Sequence, residues 1–193
     1  MLSIFNNTPH CGAYLTKENE QDFDRMLTLI QDLVEERKKL FTELEVDNFE
    51  SARSVKRLPL VLVLIDNYSG MTATKKGDSL SYTLADMVKE SAAYGVKFLI
   101  TANRLGDLNS RMKRAVGDRI CLYQADKYGY TDVLGVKPGY TPPEIPGRGL
   151  CLQQGRALEY QCAQFRTMLN RKDQLQQMKE EMRALAERSD RTV

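Results

Sequence analysis

The chain has 193 residues, 42% apolar and 28% charged, which suits one well-buried domain of an ordinary globular protein. Lys plus Arg is 28 against 26 for Asp plus Glu, and a net charge of +2 makes nucleic acid or an anionic membrane surface a poor expectation. No run approaches about 18 consecutive apolar residues and the N-terminus lacks the basic-then-apolar order of a signal peptide, so a cytosolic location is expected.

The first element expected is a short strand over residues 11–15, with Thr16 or Asn19 capping the helix behind it. Phe23, Met26, Leu27, Ile30, Leu33, Val34, Phe41 and Leu44 follow the spacing of one helix face, which predicts a long amphipathic helix over residues 20–45. Asp47 or Asn48 caps a short second helix. In Leu58-Pro-Leu-Val-Leu-Val-Leu-Ile-Asp66-Asn67, seven of the eight residues before Asp66 are apolar. Such a run predicts a parallel strand buried on both faces that ends in a carboxylate where the sheet opens.

Gly70 to Asp78 reads as a loop, followed by a helix over residues 79–93 that Gly95 ends in a left-handed cap. The next strand spans 97–102 and ends at Asn103-Arg104. Strand, helix and strand with short connections imply a right-handed crossover and a parallel sheet. A short basic helix over 109–116, a strand over 118–123 and one helical turn at Tyr130–Leu134 come next, before a loop over 137–149 that holds four of the six prolines. Residues 149–153 and 157–163 read as a hairpin turning at Gln154-Gly155. Leu175, Met178, Met182 and Leu185 predict a C-terminal amphipathic helix that frays into Ser189–Val193. Cys11, Cys121, Cys151 and Cys162 show no CxxC spacing and His10 is the only histidine, so neither zinc nor disulfides are expected. The thiols read as small structural hydrophobes.

Six segments then carry a resemblance. In order they are Thr8-Pro-His-Cys-Gly12, Glu36-Arg-Lys-Lys-Leu-Phe41, Leu58 to Asn67, Tyr94-Gly-Val-Lys-Phe-Leu-Ile-Thr-Ala-Asn103, Arg111-Met-Lys-Arg-Ala-Val-Gly-Asp-Arg119 and Pro146-Gly-Arg-Gly-Leu150. The series resembles the FtsK/SpoIIIE family of hexameric motor ATPases, closest to the C-terminal ATPase-like domains of the EssC/EccC type VII secretion ATPases. The resemblance covers residues 8–165 and implies an α/β, three-layer RecA-like P-loop NTPase fold with a mainly parallel central sheet. It divides the chain into an N-terminally truncated ATPase-like domain, 1–165, and an amphipathic helix with a polar tail, 166–193.

In that family a GxxxxGK[ST] loop precedes the Pro-His element, and none occurs in the 193 residues. The backbone cradle and Lys that hold the β and γ phosphates are thus missing from the sequence. By resemblance Asp66 is the Walker B carboxylate that supports Mg²⁺. Asn67 stands where the family often carries a catalytic Glu, and an amide cannot take a proton. General-base assistance is typically worth about 10² to 10⁴ in rate, so little or no hydrolysis is expected. Asn103 matches a polar sensor of the terminal phosphate, with a plain turn residue as the alternative. Arg111 and Arg119 lie where family members carry arginines facing a neighbour's nucleotide, and Arg119 is the arginine-finger candidate beside a simple solvated basic helix. The Pro146-Gly-Arg148-Gly149 turn resembles a signature shared by the secretion ATPases, and the favoured alternative is a turn before an edge hairpin, which explains its two glycines without a ligand.

The family's cofactors are ATP and Mg²⁺, which this chain alone is not expected to bind. The partners implied are other ATPase domains of the same motor, in a hexamer of the full protein, and secreted helical-hairpin substrates whose C-terminal signal enters an apolar pocket. The location implied is the cytoplasmic face of the cell membrane, reached through other segments of a larger anchored protein. The leading reading is a degenerate ATPase module of a type VII secretion motor, acting in regulation or signal-peptide docking. The alternatives are a fragment of an FtsK/SpoIIIE-type DNA translocase and a scaffold without a ligand.

Overall fold

The computed structural model describes residues 2–6, 8–16, 18–73, 77–163 and 170–188. They fall into two compact units, one of residues 28–162 and one joining the chain up to residue 27 with the chain from 163 onward.

Helix α1 (Glu20–Glu43) begins where the Asn19 carbonyl accepts from the Phe23 amide, and the Asn19 side chain accepts from the amide and hydroxyl of Thr16. Residues 11–16 take no strand conformation, because no described strand lies beside them to satisfy an extended backbone. Arg37, 3% exposed despite its place in a charged run, donates to the carbonyls of Tyr94 at 2.5 Å and Pro59 at 2.7 Å. Its guanidinium lies over the Phe49 ring, 5.4 Å from the centroid, and burial pulls its pKa below the usual value. One side chain thereby ties α1 to the entries of two strands.

Helix α2 (Phe49–Val55) is capped by Asn48, whose side chain accepts from the Ser51 amide. Strand β1 (Val61–Ile65) and strand β2 (Val96–Ile100) pair in parallel, Val61 opposite Val96 through Ile65 opposite Ile100. Between them come α3 (Tyr68–Thr72), which runs into the segment expected to be loop from Gly70, and α4 (Gly77–Ser91), which packs on β2. Gly95 turns the chain into β2 with φ +73°, and a Cβ there would lie 2.2 Å from the Phe49 ring, so both backbone and space demand glycine.

Only one face of this parallel pair is covered. Ile65 and Val96 are buried, whereas Leu60, Leu62, Leu64 and Leu99 on the other face are exposed. The expectation of a strand buried on both faces is corrected here: no described element lies over the second face.

After α5 (Ser110–Ala115), strands β3 (Ile120–Leu122), β4 (Arg148–Gln153) and β5 (Arg156–Gln161) form an antiparallel sheet in that order. Gln154 and Gly155 both take positive φ at the β4–β5 turn, as a tight hairpin requires. Helix α6 (Lys127–Leu134), longer than the single turn expected because Asp126 caps it, covers the core of Cys121, Tyr130, Leu134 and Leu150. All four cysteines are free thiols, Cys121 buried and Cys162 exposed.

In the other unit α7 (Arg171–Arg188) packs against the 3-10 turn Leu2–Phe5, with Leu175, Met178 and Met182 half-buried. The expected polar tail, 189–193, lies outside the described residues. Among these, no helix is long and apolar enough to cross a membrane.

Candidate functional site

The apolar run of β1 delivers Asp66 and Asn67 to the carboxyl end of the sheet, beside Thr101 at the end of β2. Register places them together: the Thr101 amide donates to the Ile65 carbonyl and the Tyr68 amide to the Thr101 carbonyl, each at 2.9 Å. The Thr101 hydroxyl donates to Asp66 Oδ1 at 2.7 Å and accepts from the Asn67 amide at 2.9 Å. One hydroxyl thus ties up one oxygen of the exposed carboxylate and fixes the backbone behind it.

Asn67 is left-handed, φ 61° and ψ 67°, a conformation that Asn tolerates better than most residues. It caps α3: its side chain accepts from the Gly70 amide at 3.3 Å, and its carbonyl accepts from the amides of Gly70 and Met71. The Asn67 side chain is thereby occupied in holding a turn. Asn103 is exposed in the loop two residues beyond Thr101.

A buried polar string runs away from this corner. Tyr68, 1% exposed, bonds its hydroxyl to Ser81 on α4, which also receives the Asn109 amide at the cap of α5. Arg111 on α5 pairs with Asp86 at 2.9 Å and lies over the Tyr82 ring. Arg119 is placed elsewhere. Its guanidinium donates to the backbone carbonyls of Val133 at 3.1 Å and Lys113 at 2.6 Å, a clasp between α6 and the end of α5. Arg148 pairs with Glu159 across β4–β5 at 2.8 Å, and Gly149 lets β4 approach β3 so closely that a Cβ would lie 2.2 Å from the Cys121 carbonyl oxygen.

A groove of about 370 Å³ lies between α1 and α4. Ile30, Val34 and Met87 supply an apolar floor, and Glu35, Asp86 and Glu90 stand at the rim. Lys38 lies between Glu35, at 2.6 Å, and Glu90, and these two carboxylates hold its ammonium above the usual range.

No protein-family profile matches the chain. The ESX secretion system protein EccC of Geobacillus thermodenitrificans (strain NG80-2) is 24% identical over 152 residues, 78% of this chain and 10% of that protein. The type VII secretion system protein EssC of Staphylococcus aureus (strain MRSA252) is 24% identical over 136 residues, 69% of this chain and 9% of its own length. The chain is a homologue of the EssC/EccC secretion ATPases. It spans about a tenth of the length of these relatives.

The fold agrees with that kinship. ATPases 2 and 3 of EssC from Geobacillus thermodenitrificans match 96% of the chain with a TM-score of 0.81 at 23% identity, over 35% of that chain. ATPases 2 and 3 of Thermomonospora curvata EccC, in complex with a signal sequence peptide, match 97% at 0.79 and 17% identity, over 34% of theirs. The pCW3 conjugation coupling protein TcpA with ATPγS matches 79% at 0.63 and 19% identity, over 48% of its chain.

The EssC/EccC kinship implies nucleotide and Mg²⁺, and the residues present do not fit that pair unaided. Asp66 has one oxygen engaged by Thr101, the Tyr68 amide is bonded to Thr101 and the Gly70 and Met71 amides to Asn67, and the described residues hold no cluster of three metal-ligating side chains. Sequence reasoning found Asp66 and Asn67 but not Thr101, Tyr68, Ser81 or Asn109, whose roles depend on strand register and helix packing.

Proposed function

We propose that the chain is a degenerate ATPase-fold module of a type VII secretion motor that docks the export signal of a substrate and contributes little or no ATP hydrolysis of its own. The observation that carries this reading is the match of 97% of the chain to EccC ATPases 2 and 3, which were solved with a signal sequence peptide. The corner at Asp66 supports the second half, since its one carboxylate is bonded to Thr101 and its neighbouring amide is a helix cap. The α1–α4 groove supplies an apolar floor for a side chain of such a peptide. Other ATPase domains of one motor, at the cytoplasmic face of a membrane, are the neighbours this reading gives the module.

Calorimetric titration with the C-terminal signal peptides of cognate helical-hairpin substrates tests it. Binding is expected without nucleotide, and Gln31→Trp, which fills the groove from an exposed position, should weaken it about tenfold, the equivalent of roughly 1.4 kcal/mol. Absence of heat with several cognate peptides would sink the reading.

A further inference from the structure

Where α2 gives way to β1 the chain forms a basic crook. Arg53, Lys56 and Arg57 line an open depression of about 620 Å³ there, with Val55, Leu58 and Pro59, and no carboxylate lines it. The three cationic side chains are exposed, and none makes an ion pair or hydrogen bond among the described residues. Lys38, Arg111 and Arg148, by contrast, each hold a carboxylate. The amides of Arg57 and Leu58 also meet no acceptor among the described residues, so the crook offers backbone donors beside its cations.

A solvated basic run is ordinarily mobile, and this one is anchored at both ends. The Lys56 amide donates to the Ala52 carbonyl and closes α2, and Leu58 packs against the core of Phe41, Phe49 and Ala52. At the far end the Pro59 carbonyl accepts from the buried Arg37 guanidinium at 2.7 Å. Backbone held this way loses little freedom when a ligand binds. The helix dipole gives a use to Arg53, in the last turn of α2, but Arg57 lies past the cap, outside the turn in which that effect acts.

We propose that this depression docks a short acidic segment of a partner polypeptide, its carboxylates meeting Arg53, Lys56, Arg57 and the unpaired amides, and an aliphatic side chain covering Val55 and Pro59. Charge complementarity sets the sign of the partner. Guanidinium forks and backbone N–H groups suit planar carboxylates. The apolar share of the lining favours a polypeptide over a nucleic acid, whose sugar-phosphate backbone gains nothing from Val55 or Pro59. None of these residues lines the α1–α4 groove, so the proposal stands apart from signal docking there.

Fluorescence anisotropy on the whole chain tests it, with labelled peptides of about eight residues, roughly 27 Å when extended. One alternates glutamate with leucine, a second lysine with leucine, and a single-stranded oligonucleotide of similar length is the third probe. The glutamate peptide is expected to bind about tenfold more tightly than either of the others and to weaken as salt rises. Arg53→Glu with Arg57→Glu should remove that binding without moving the melting temperature, since neither side chain holds the fold, and the milder Arg57→Gln should weaken it about threefold. Lys89→Glu with Arg114→Glu, the same change of net charge at exposed positions elsewhere, should leave it intact. Equal affinity for the two peptides, undiminished binding in the Arg53/Arg57 variant, or an equal loss in the Lys89/Arg114 variant would each overturn the proposal. So would tighter binding of the oligonucleotide, because the occupant would then be a nucleic acid.

Discussion

At the scale of the residue, Asn67 decides what the strand tip can do. A Glu at this position would put a second carboxylate at the strand tip, yet the position is left-handed and its side chain caps α3. Forcing a longer side chain into that conformation costs about 1 kcal/mol. Losing the cap costs about 1 more. We expect Asn67→Glu to lower the melting temperature by roughly 4–8 °C, given about 2–4 °C per kcal/mol for a domain of this size, with phosphate release from Mg-ATP still at buffer background. Asn67→Gly keeps the conformation open and should shift the melt by only about 1 °C, since Gly is nearly as good at a cap. A gain of hydrolysis in Asn67→Glu would show that the corner is a working site lacking only its base. The tip itself is legible in the sequence, an apolar run followed by two polar residues. Thr101 is not, because only the register of β1 against β2 brings its hydroxyl to Asp66. Arg37 is hidden for a different reason: inside Glu36-Arg-Lys-Lys it reads as solvated charge, and its burial depends on which carbonyls the fold leaves without partners.

Elements follow the same division between local and distant causes. Helix α1, the Asn48 and Gly95 caps and the β4–β5 turn are set by nearby residues and fall where spacing and turn chemistry put them. Helix α3 is missed because Gly70 and Thr72 are poor helix formers, and only the Asn67 cap makes the turn. The antiparallel sheet depends on a core that titration can probe. Burial pushes the Cys121 thiol up to about 11, against about 8.5 for an unfolded chain. The folded state therefore keeps its proton where the unfolded state has lost it. The contribution to stability is whole below pH ~8.5 and is lost as pH rises toward the folded value. Urea midpoints should fall between pH 8.5 and 10 and fall less in Cys121→Val. Tyr160, held near 12 by burial, adds its own loss only above that window. A midpoint equally pH-dependent in the variant would place the titrating group elsewhere.

For the whole molecule, the sequence distinguishes a fold lineage better than a task. The bare leucine face shows why: Val61–Ile65 reads as doubly buried whatever lies beside it, since an apolar strand does not record which cover belongs to the same stretch of chain. The DNA-translocase alternative is also a whole-molecule question, and charge answers it in a measurable form. The net charge is +2, with 28 basic side chains against 26 acidic, and Arg111 is committed to Asp86, Lys38 to Glu35 and Glu90, and Arg148 to Glu159. A protein making 6–10 phosphate contacts loses about 10³ to 10⁵ in affinity between roughly 50 and 200 mM salt, as counterions are released. A chain whose basic and acidic side chains nearly balance is expected to show a far smaller slope. Anisotropy with a labelled duplex should therefore show weak binding at low salt, with a log–log slope no steeper than about −4. A slope near −8 would reveal a basic track and would return the motor reading to the front.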